Sequence, residues 1–374
     1  MSESEVTRQG LRGEKPGREA RPGAGNRPAR GRHAAEPTRW RGRRRAERPM
    51  VPRADFTSYY GKPVINAPVW EARDIAGYLF LGGLAGGSSL LAAGADLTGR
   101  PGLSRVAKAG ACGAITLSLA ALVHDLGRPA LLINMMRVFK VTSPMSVGTW
   151  LLGGYAPAAA VAAATALTGR LPRVGALATA GAAALGPAVA AYTAALISDT
   201  AVPAWHDGYP EMPFVFTGSA AMAAGGLGLL AAPGGESAPA RHLALLGTAM
   251  ELSAFERMTR RIGMTAEPYR TGRGGAYMKA GKALAALGAT GAAVTGIAPI
   301  DGRPRRMIAA LSGAALMAAS VTTRWGIFHA GLASARDPKY TVVPQRKRID
   351  ERGAAKAEPA PSPAGQVPAT PPPA

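Results

Sequence analysis

Apolar residues in this chain are concentrated between about residue 75 and residue 333, whereas both ends are polar. Within that region Ala, Gly, Leu and Val form runs of about 20 residues, long enough as helices to span a hydrocarbon core of ~30 Å. No soluble helical fold needs so many uninterrupted apolar stretches, so the pattern predicts an all-α integral membrane protein. We predict eight transmembrane helices, at about 75–97, 107–126, 147–168, 174–197, 213–232, 241–256, 278–300 and 305–333.

The polar ends lack hydrophobic periodicity and are rich in Arg, Pro, Gly or Ala. This composition is typical of disordered segments, so we predict disordered tails at 1–53 and 336–374 around a membrane domain at 54–335. Met50 is an alternative start of translation, and whether residues 1–49 are translated stays open. The Arg-rich stretch 41–45 is not followed directly by an apolar run, so no cleavable signal peptide is predicted there.

The formal net charge is +21, and residues 1–49 hold 14 Lys and Arg against 6 Asp and Glu. Basic loops and tails orient membrane proteins and contact anionic lipid, so we favour the lipid bilayer over nucleic acid as the partner of these charges. Eight spans put both termini on one side, which after residue 49 carries 19 Lys and Arg against 9 on the other. This excess predicts cytoplasmic termini in a bacterial-type plasma membrane.

Metal chemistry has few possible ligands in this sequence. Cys112 is the one cysteine, and a single thiol cannot hold a Cys-ligated iron–sulfur cluster. Haem b needs facing histidines inside a bundle, for which only His124 and His329 are suitably placed near the ends of their spans. We therefore expect no haem and no metal site in this chain.

Four segments of the chain resemble the NrfD family, the membrane subunits of polysulfide-reductase-type complexes. The most specific begins at Asp125-Leu126-Gly127-Arg128-Pro129 and continues to Gly148-Thr149-Trp150. The other three segments are 78–87, 192–198 and Arg324-Trp325, and together the four cover roughly residues 60–335 in the order of the family.

The resemblance implies two four-helix bundles, with a site for a quinone such as menaquinone in the first bundle. It also implies a ferredoxin-like iron–sulfur subunit docked over that site and a molybdopterin catalytic subunit beyond it. Membrane subunits of this family usually lack haem. The expected function is electron exchange between a membrane quinone pool and the iron–sulfur partner, within a multi-subunit oxidoreductase.

Two tyrosines are the quinone-binding candidates that the resemblance supplies. Tyr192 matches the tyrosine that hydrogen-bonds the quinone, although an aromatic residue near a span end is also typical of the membrane interface. Tyr78 lies where some relatives carry a histidine near the quinone. A phenol can donate a hydrogen bond to a quinone oxygen, but it relays protons differently from an imidazole.

Ionisable residues near the second and fourth spans form two further candidate groups. Asp125 and Arg128 either handle protons or form a structural pair at the end of the second span, and His124 beside them is a candidate proton donor. Asp199 and His206 lie in the loop after the fourth span. They either line the quinone entrance, touch the partner subunit or belong to an ordinary solvated loop.

Two charges lie inside later apolar runs, Glu251 in the sixth span and Arg324 in the eighth. Ionisable residues are costly at membrane depth and are functional candidates. The pair either belongs to a proton route or fixes the register of the helices.

Two other functions remain open from the sequence. A secondary transporter would show repeated halves with helices broken by Gly and Pro, but no convincing repeat relates spans 1–4 to spans 5–8. A passive membrane anchor of a reductase would leave quinone turnover unaffected by changes at Tyr192 or Asp125. The sequence does not indicate the substrate of the complex, the direction of electron flow, the quinone type or whether protons are translocated.

Overall fold

The structure is a computed structural model that describes residues 6–7, 10–11, 63–66, 68, 70–126 and 134–357. The chain divides into two compact units, residues 1–62 and 63–374. In the first unit, β1 (Val6–Thr7) pairs antiparallel with β2 (Gly10–Leu11). The remainder of the predicted 1–53 tail, with Met50, lies outside the described residues.

The second unit is helical throughout its long elements. In the part of the chain that the structure describes, its α-helices are α1 (Ala72–Leu97), α2 (Pro101–Leu126), α3 (Pro144–Thr168), α4 (Pro172–Ser198), α5 (Pro203–His206), α6 (Met212–Ala231), α7 (Ala238–Arg261), α8 (Gly272–Ile297), α9 (Gly302–Arg336) and α10 (Lys339–Ala357). Short 3₁₀ segments at Gly234–Glu236 and Gly263–Tyr269 precede and follow α7.

Seven of the described helices, α1–α4, α6, α8 and α9, are long and apolar enough to cross a membrane. The chain is therefore a multi-pass membrane protein. The predicted sixth span forms as the 24-residue α7, but α7 is not among the helices apolar enough to cross a membrane, because it carries Glu251, Glu256 and several arginines. Eight membrane spans consequently stay a prediction.

Local signals explain where the helices begin and end. Ser143 caps α3 by accepting a hydrogen bond from the Ser146 backbone N–H, and Pro144 occupies the first turn, where a missing N–H costs nothing. Gly169 ends α3 with a left-handed φ of 69°, a conformation that glycine adopts without steric penalty. The chain can then reverse within a few residues to start α4.

The centre of the second unit is formed by α1, which packs against α2 and α4 and also against α6 and α9. The closest approach is between Gly86 of α1 and Gly186 of α4, where a Cβ on Gly86 would lie 2.2 Å from the Gly186 carbonyl oxygen. Small residues permit such contact between backbones in lipid. Because one cluster of buried side chains extends through helices of both halves, a division into two four-helix bundles is not confirmed.

The prediction of disorder after residue 336 is wrong for residues 339–357, which form α10. Two contacts stabilise the start of this helix. Lys339 Nζ lies 3.0 Å from Glu267 Oε2, and the Tyr340 side chain is buried. Residues 358–374 lie outside the described part of the chain.

Candidate functional site

A groove of about 550 Å³ lies beside the C-terminal end of α4. Its lining includes three predicted site residues, Tyr192, Asp199 and His206. The opposite wall comes from the start of α3 and the segment before it, including Thr142 and Val147. We call this cavity the α4 groove.

Tyr192 reaches the α4 groove across the face of α3. A Cβ on Gly148 would lie 2.0 Å from the Tyr192 ring, so the ring occupies space that only glycine leaves free. The Tyr192 hydroxyl has no hydrogen-bond partner among the described residues. The phenol is therefore held in place by packing while its hydroxyl stays available to a ligand.

A second hydroxyl in the groove lining comes from Ser198, a residue that was not among the predicted site residues. Ser198 is buried, and its Oγ has no hydrogen-bond partner in the described structure. A buried hydroxyl without a partner costs about 1–3 kcal/mol, so a ligand that bonds to it recovers this free energy. A serine in an apolar helix gives little signal in a sequence, because serines there usually bond to the carbonyl one turn earlier.

The exposed end of the groove carries one carboxylate and one imidazole. Asp199 caps the end of α4 through its backbone N–H, which donates to the Ala195 carbonyl. His206 Nδ1 lies 3.2 Å from the Ser198 carbonyl oxygen. Since a carbonyl only accepts, the neutral imidazole carries its proton on Nδ1, and Nε2 is left to exchange a proton with a ligand.

The loop that carries His206 is fixed to α9 by its neighbour Trp205. The Trp205 side chain is fully buried, and its Nε1–H donates to the Ile327 carbonyl over 2.8 Å. Its ring stacks on Trp70, with centroids 6.0 Å apart, and packs against Phe328. His206 is thus placed at the groove by a rigid aromatic contact.

An ion pair fixes the far side of the same loop. Glu211 accepts hydrogen bonds of 2.8 and 2.7 Å from the Nε and Nη2 of Arg261. The Arg261 guanidinium also donates to the Asp207 carbonyl. These hydrogen bonds hold the pKa of the Glu211 carboxyl below its usual value, against the opposing effect of partial burial.

The structure places Tyr78 away from the α4 groove. Its side chain is fully buried in the core, and its hydroxyl has no partner among the described residues. Its carbonyl accepts a hydrogen bond from Ser118 Oγ over 3.2 Å. The two predicted quinone-binding tyrosines therefore do not line one cavity.

Asp125 and His124 also lie outside the groove lining. His124 is exposed, and its Nδ1 lies 3.0 Å from Asp74 Oδ2, a contact that the sequence did not predict. Arg128, the predicted partner of Asp125, lies outside the described residues, so their pairing stays a prediction.

Glu251 and Arg324 are both buried, but no direct ion pair joins them among the described residues, and each has another partner. Glu251 Oε1 accepts a 2.7 Å hydrogen bond from Thr323 Oγ1, whereas its Oε2 has no partner. Arg324 donates to the Phe216 carbonyl over 2.9 Å and lies 3.7 Å from the centroid of that ring, with Nε and Nη1 unpartnered. We call these residues the buried polar cluster.

Residues 64–233 match the family described as polysulphide reductase, NrfD. This part of the chain is similar to the NrfD family. No curated protein matches the chain. The resemblance inferred from the sequence motifs is thereby confirmed for the segment from the residues before α1 to the end of α6.

The NrfD segment contains the whole α4 groove and also Tyr78, His124 and Asp125. The buried polar cluster draws Phe216 from this segment, while Glu251 and Arg324 come from helices that follow it. NrfD proteins generally pair with oxidoreductase subunits, and this chain has seven described helices that are long and apolar enough to cross a membrane. No cluster of potential metal ligands occurs among the described residues.

Proposed function

We propose that this protein is the membrane subunit of a multi-subunit oxidoreductase, exchanging electrons between a quinone pool and an iron–sulfur partner subunit. The observation that carries the proposal is the pair of unpartnered hydroxyls, Tyr192 and Ser198, in the lining of one cavity within the NrfD segment. Quinone oxygens accept hydrogen bonds from such donors, and the groove lining is largely apolar, as a quinone ring requires.

Quinol oxidation releases two protons with its two electrons, so the site needs groups that accept protons. Asp199 and the Nε2 of His206 are the proposed acceptors, because both side chains lie at the exposed end of the groove. In the opposite direction the same groups would deliver protons. The electrons pass to or from iron–sulfur clusters, which we assign to a ferredoxin-like partner, with molybdopterin on a catalytic subunit.

The test is quinone turnover by the purified complex with Tyr192→Phe and Ser198→Ala variants. Losing one hydrogen bond of about 1.4 kcal/mol lowers kcat/KM for the quinone about tenfold. Reduction of a dye by the catalytic subunit should not change. Tyr155→Phe is the matched control, because this phenol bonds to Ser89 Oγ over 2.7 Å and does not line the groove.

Unchanged quinone turnover in both groove variants would favour a passive membrane anchor and refute the proposed site. An equal loss in Tyr155→Phe would point to general damage to the helices rather than to quinone binding.

The buried polar cluster is the proposed proton-handling group of the second half. Its support is that Glu251 Oε2 and two Arg324 nitrogens are buried without partners. Internal water would satisfy these atoms and connect them to a proton route. The test is proton uptake by vesicles during quinone turnover, compared between the native protein and Glu251→Gln. An unchanged number of protons taken up per electron would leave the cluster with a structural role only.

A further inference from the structure

A second cavity of about 590 Å³ lies between the start of α8 and the end of α9. Arg273, in the first turn of α8, and Arg336, the last residue of α9, both line it. The imidazole of His329 lines the same cavity. The three cationic or ionisable groups therefore converge on one space.

Neither arginine has a carboxylate partner among the described residues. Asp337 also lines the cavity, but it is engaged with Lys339, whose backbone N–H donates to Oδ1 over 3.0 Å. Lys339 Nζ in turn lies 3.0 Å from Glu267. Lys339 contacts both local carboxylates, Asp337 and Glu267, so these two acids and the three basic side chains leave one net positive charge at the cavity.

The length of α8 bears on the depth of the cavity in the membrane. As a 26-residue helix, α8 is about 39 Å long, more than the ~30 Å hydrocarbon core, so at least one of its ends must extend into the interfacial layer. Its first turn carries Arg273, whereas its last turn carries no basic residue, which favours the first turn as the end at the headgroups. Leu332 and Ala333 supply apolar wall next to the arginines. This combination of paired guanidinium groups and an apolar wall fits a phosphate attached to acyl chains.

We propose that Arg273 and Arg336 bind the phosphate of an anionic membrane lipid in this cavity. The site is separate from the α4 groove and does not depend on quinone chemistry. The imidazole of His329, stacked on Tyr277 with centroids 5.5 Å apart, is part of the lining of this cavity.

The test is lipid binding to the delipidated complex in detergent, with bound lipid counted by native mass spectrometry. Phosphatidylglycerol is the probe, and phosphatidylcholine and inorganic phosphate form separate arms. We expect Arg273→Gln or Arg336→Gln to weaken phosphatidylglycerol binding about fivefold and the double variant about 25-fold. Arg303→Gln is the matched control, an exposed arginine at the opposite end of α9, and it should bind as the native protein does.

Retention of binding in the double variant would overturn the proposal, and so would an equal loss in Arg303→Gln, which would indicate unspecific surface charge. Displacement of the lipid by equimolar inorganic phosphate would assign the cavity to the free anion. Arg273→Lys keeps the charge and should keep most of the binding. This variant, with an unchanged melting temperature, separates lost binding from lost folding.

Discussion

The α4 groove and the buried polar cluster both contain polar atoms without protein partners, yet they differ in their access to a ligand. Ser198 is a lining residue of an open cavity, and its buried Oγ has no partner in the described structure. Arg324 is fully enclosed by side chains, with the Phe216 ring against its guanidinium. Unpartnered atoms beside a cavity favour ligand binding, whereas enclosed ones act on folding stability. Substitutions in the groove should therefore impair quinone turnover, whereas loss of a hydrogen bond in the cluster should lower stability alone.

The largest effect is expected for Gly148→Ala at the wall of the groove. The added Cβ would meet the Tyr192 ring at 2.0 Å, so the ring must move and the packing of α3 on α4 is strained. We expect quinone turnover to be lost and the free energy of unfolding to fall by about 2 kcal/mol. Turnover assays and thermal unfolding in detergent measure the two quantities. Native turnover would show that the ring position is irrelevant to function.

Thr323→Val should affect stability without affecting turnover. It removes the hydrogen bond to Glu251 Oε1 and leaves a buried acceptor unpaired, at a cost of about 1.5 kcal/mol. Thr322→Val is the matched control, because the Thr322 hydroxyl bonds only to carbonyls of its own helix. If both variants unfold at the same temperature, the threonine does not stabilise the cluster.

The ion pair between Glu211 and Arg261 should make the folding stability depend on pH. Because the pKa of Glu211 is lowered in the folded state, its contribution is complete above the unfolded pKa and is lost as pH falls through the folded value. We expect about 1 kcal/mol to be lost on acidification, and this loss should be absent in Glu211→Gln. Unfolding midpoints compared between neutral pH and the lowest pH that the complex tolerates give this difference. An identical acid dependence in the variant would contradict it.

The smallest effects are expected at the end of α2. His124 is 78% exposed, so losing its contact with Asp74 in His124→Gln should change stability by less than about 0.5 kcal/mol. Asp125→Asn should slow quinone turnover less than Tyr192→Phe, because Asp125 does not line the groove. A larger loss in Asp125→Asn would move the quinone site towards α2.

Much of the helical framework follows from the apolar runs. In lipid the backbone N–H and C=O groups must be hydrogen-bonded within the protein, and a helix achieves this within a single segment. The second span was predicted to start at 107 but begins at Pro101, because the basic residues Arg105 and Lys108 interrupted the apolar pattern. Lys108 of α2 pairs with Asp96 of α1 at 2.7 Å, a contact between two helices that hydropathy alone does not predict.

The groove was predictable in part for a simple reason: Tyr192, Asp199 and His206 lie within 15 residues of one another along the chain. The pairing of Glu211 with Arg261 joins residues 50 positions apart. Each of them has several charged neighbours in the sequence, so the sequence alone does not show which residues pair. The separation of Tyr78 from the groove depends on how α1 is rotated, and the small residues on several faces of α1 do not determine that rotation.

The crossing of Gly86 and Gly186 has a consequence for how this protein can change over generations. A Cβ on either glycine meets the carbonyl oxygen of the other, at 2.2 and 2.5 Å. Since the obstacle on each side is backbone, no second substitution at the facing position can restore the fit. A suppressor screen starting from Gly86→Ala should therefore return reversions to glycine and none at position 186.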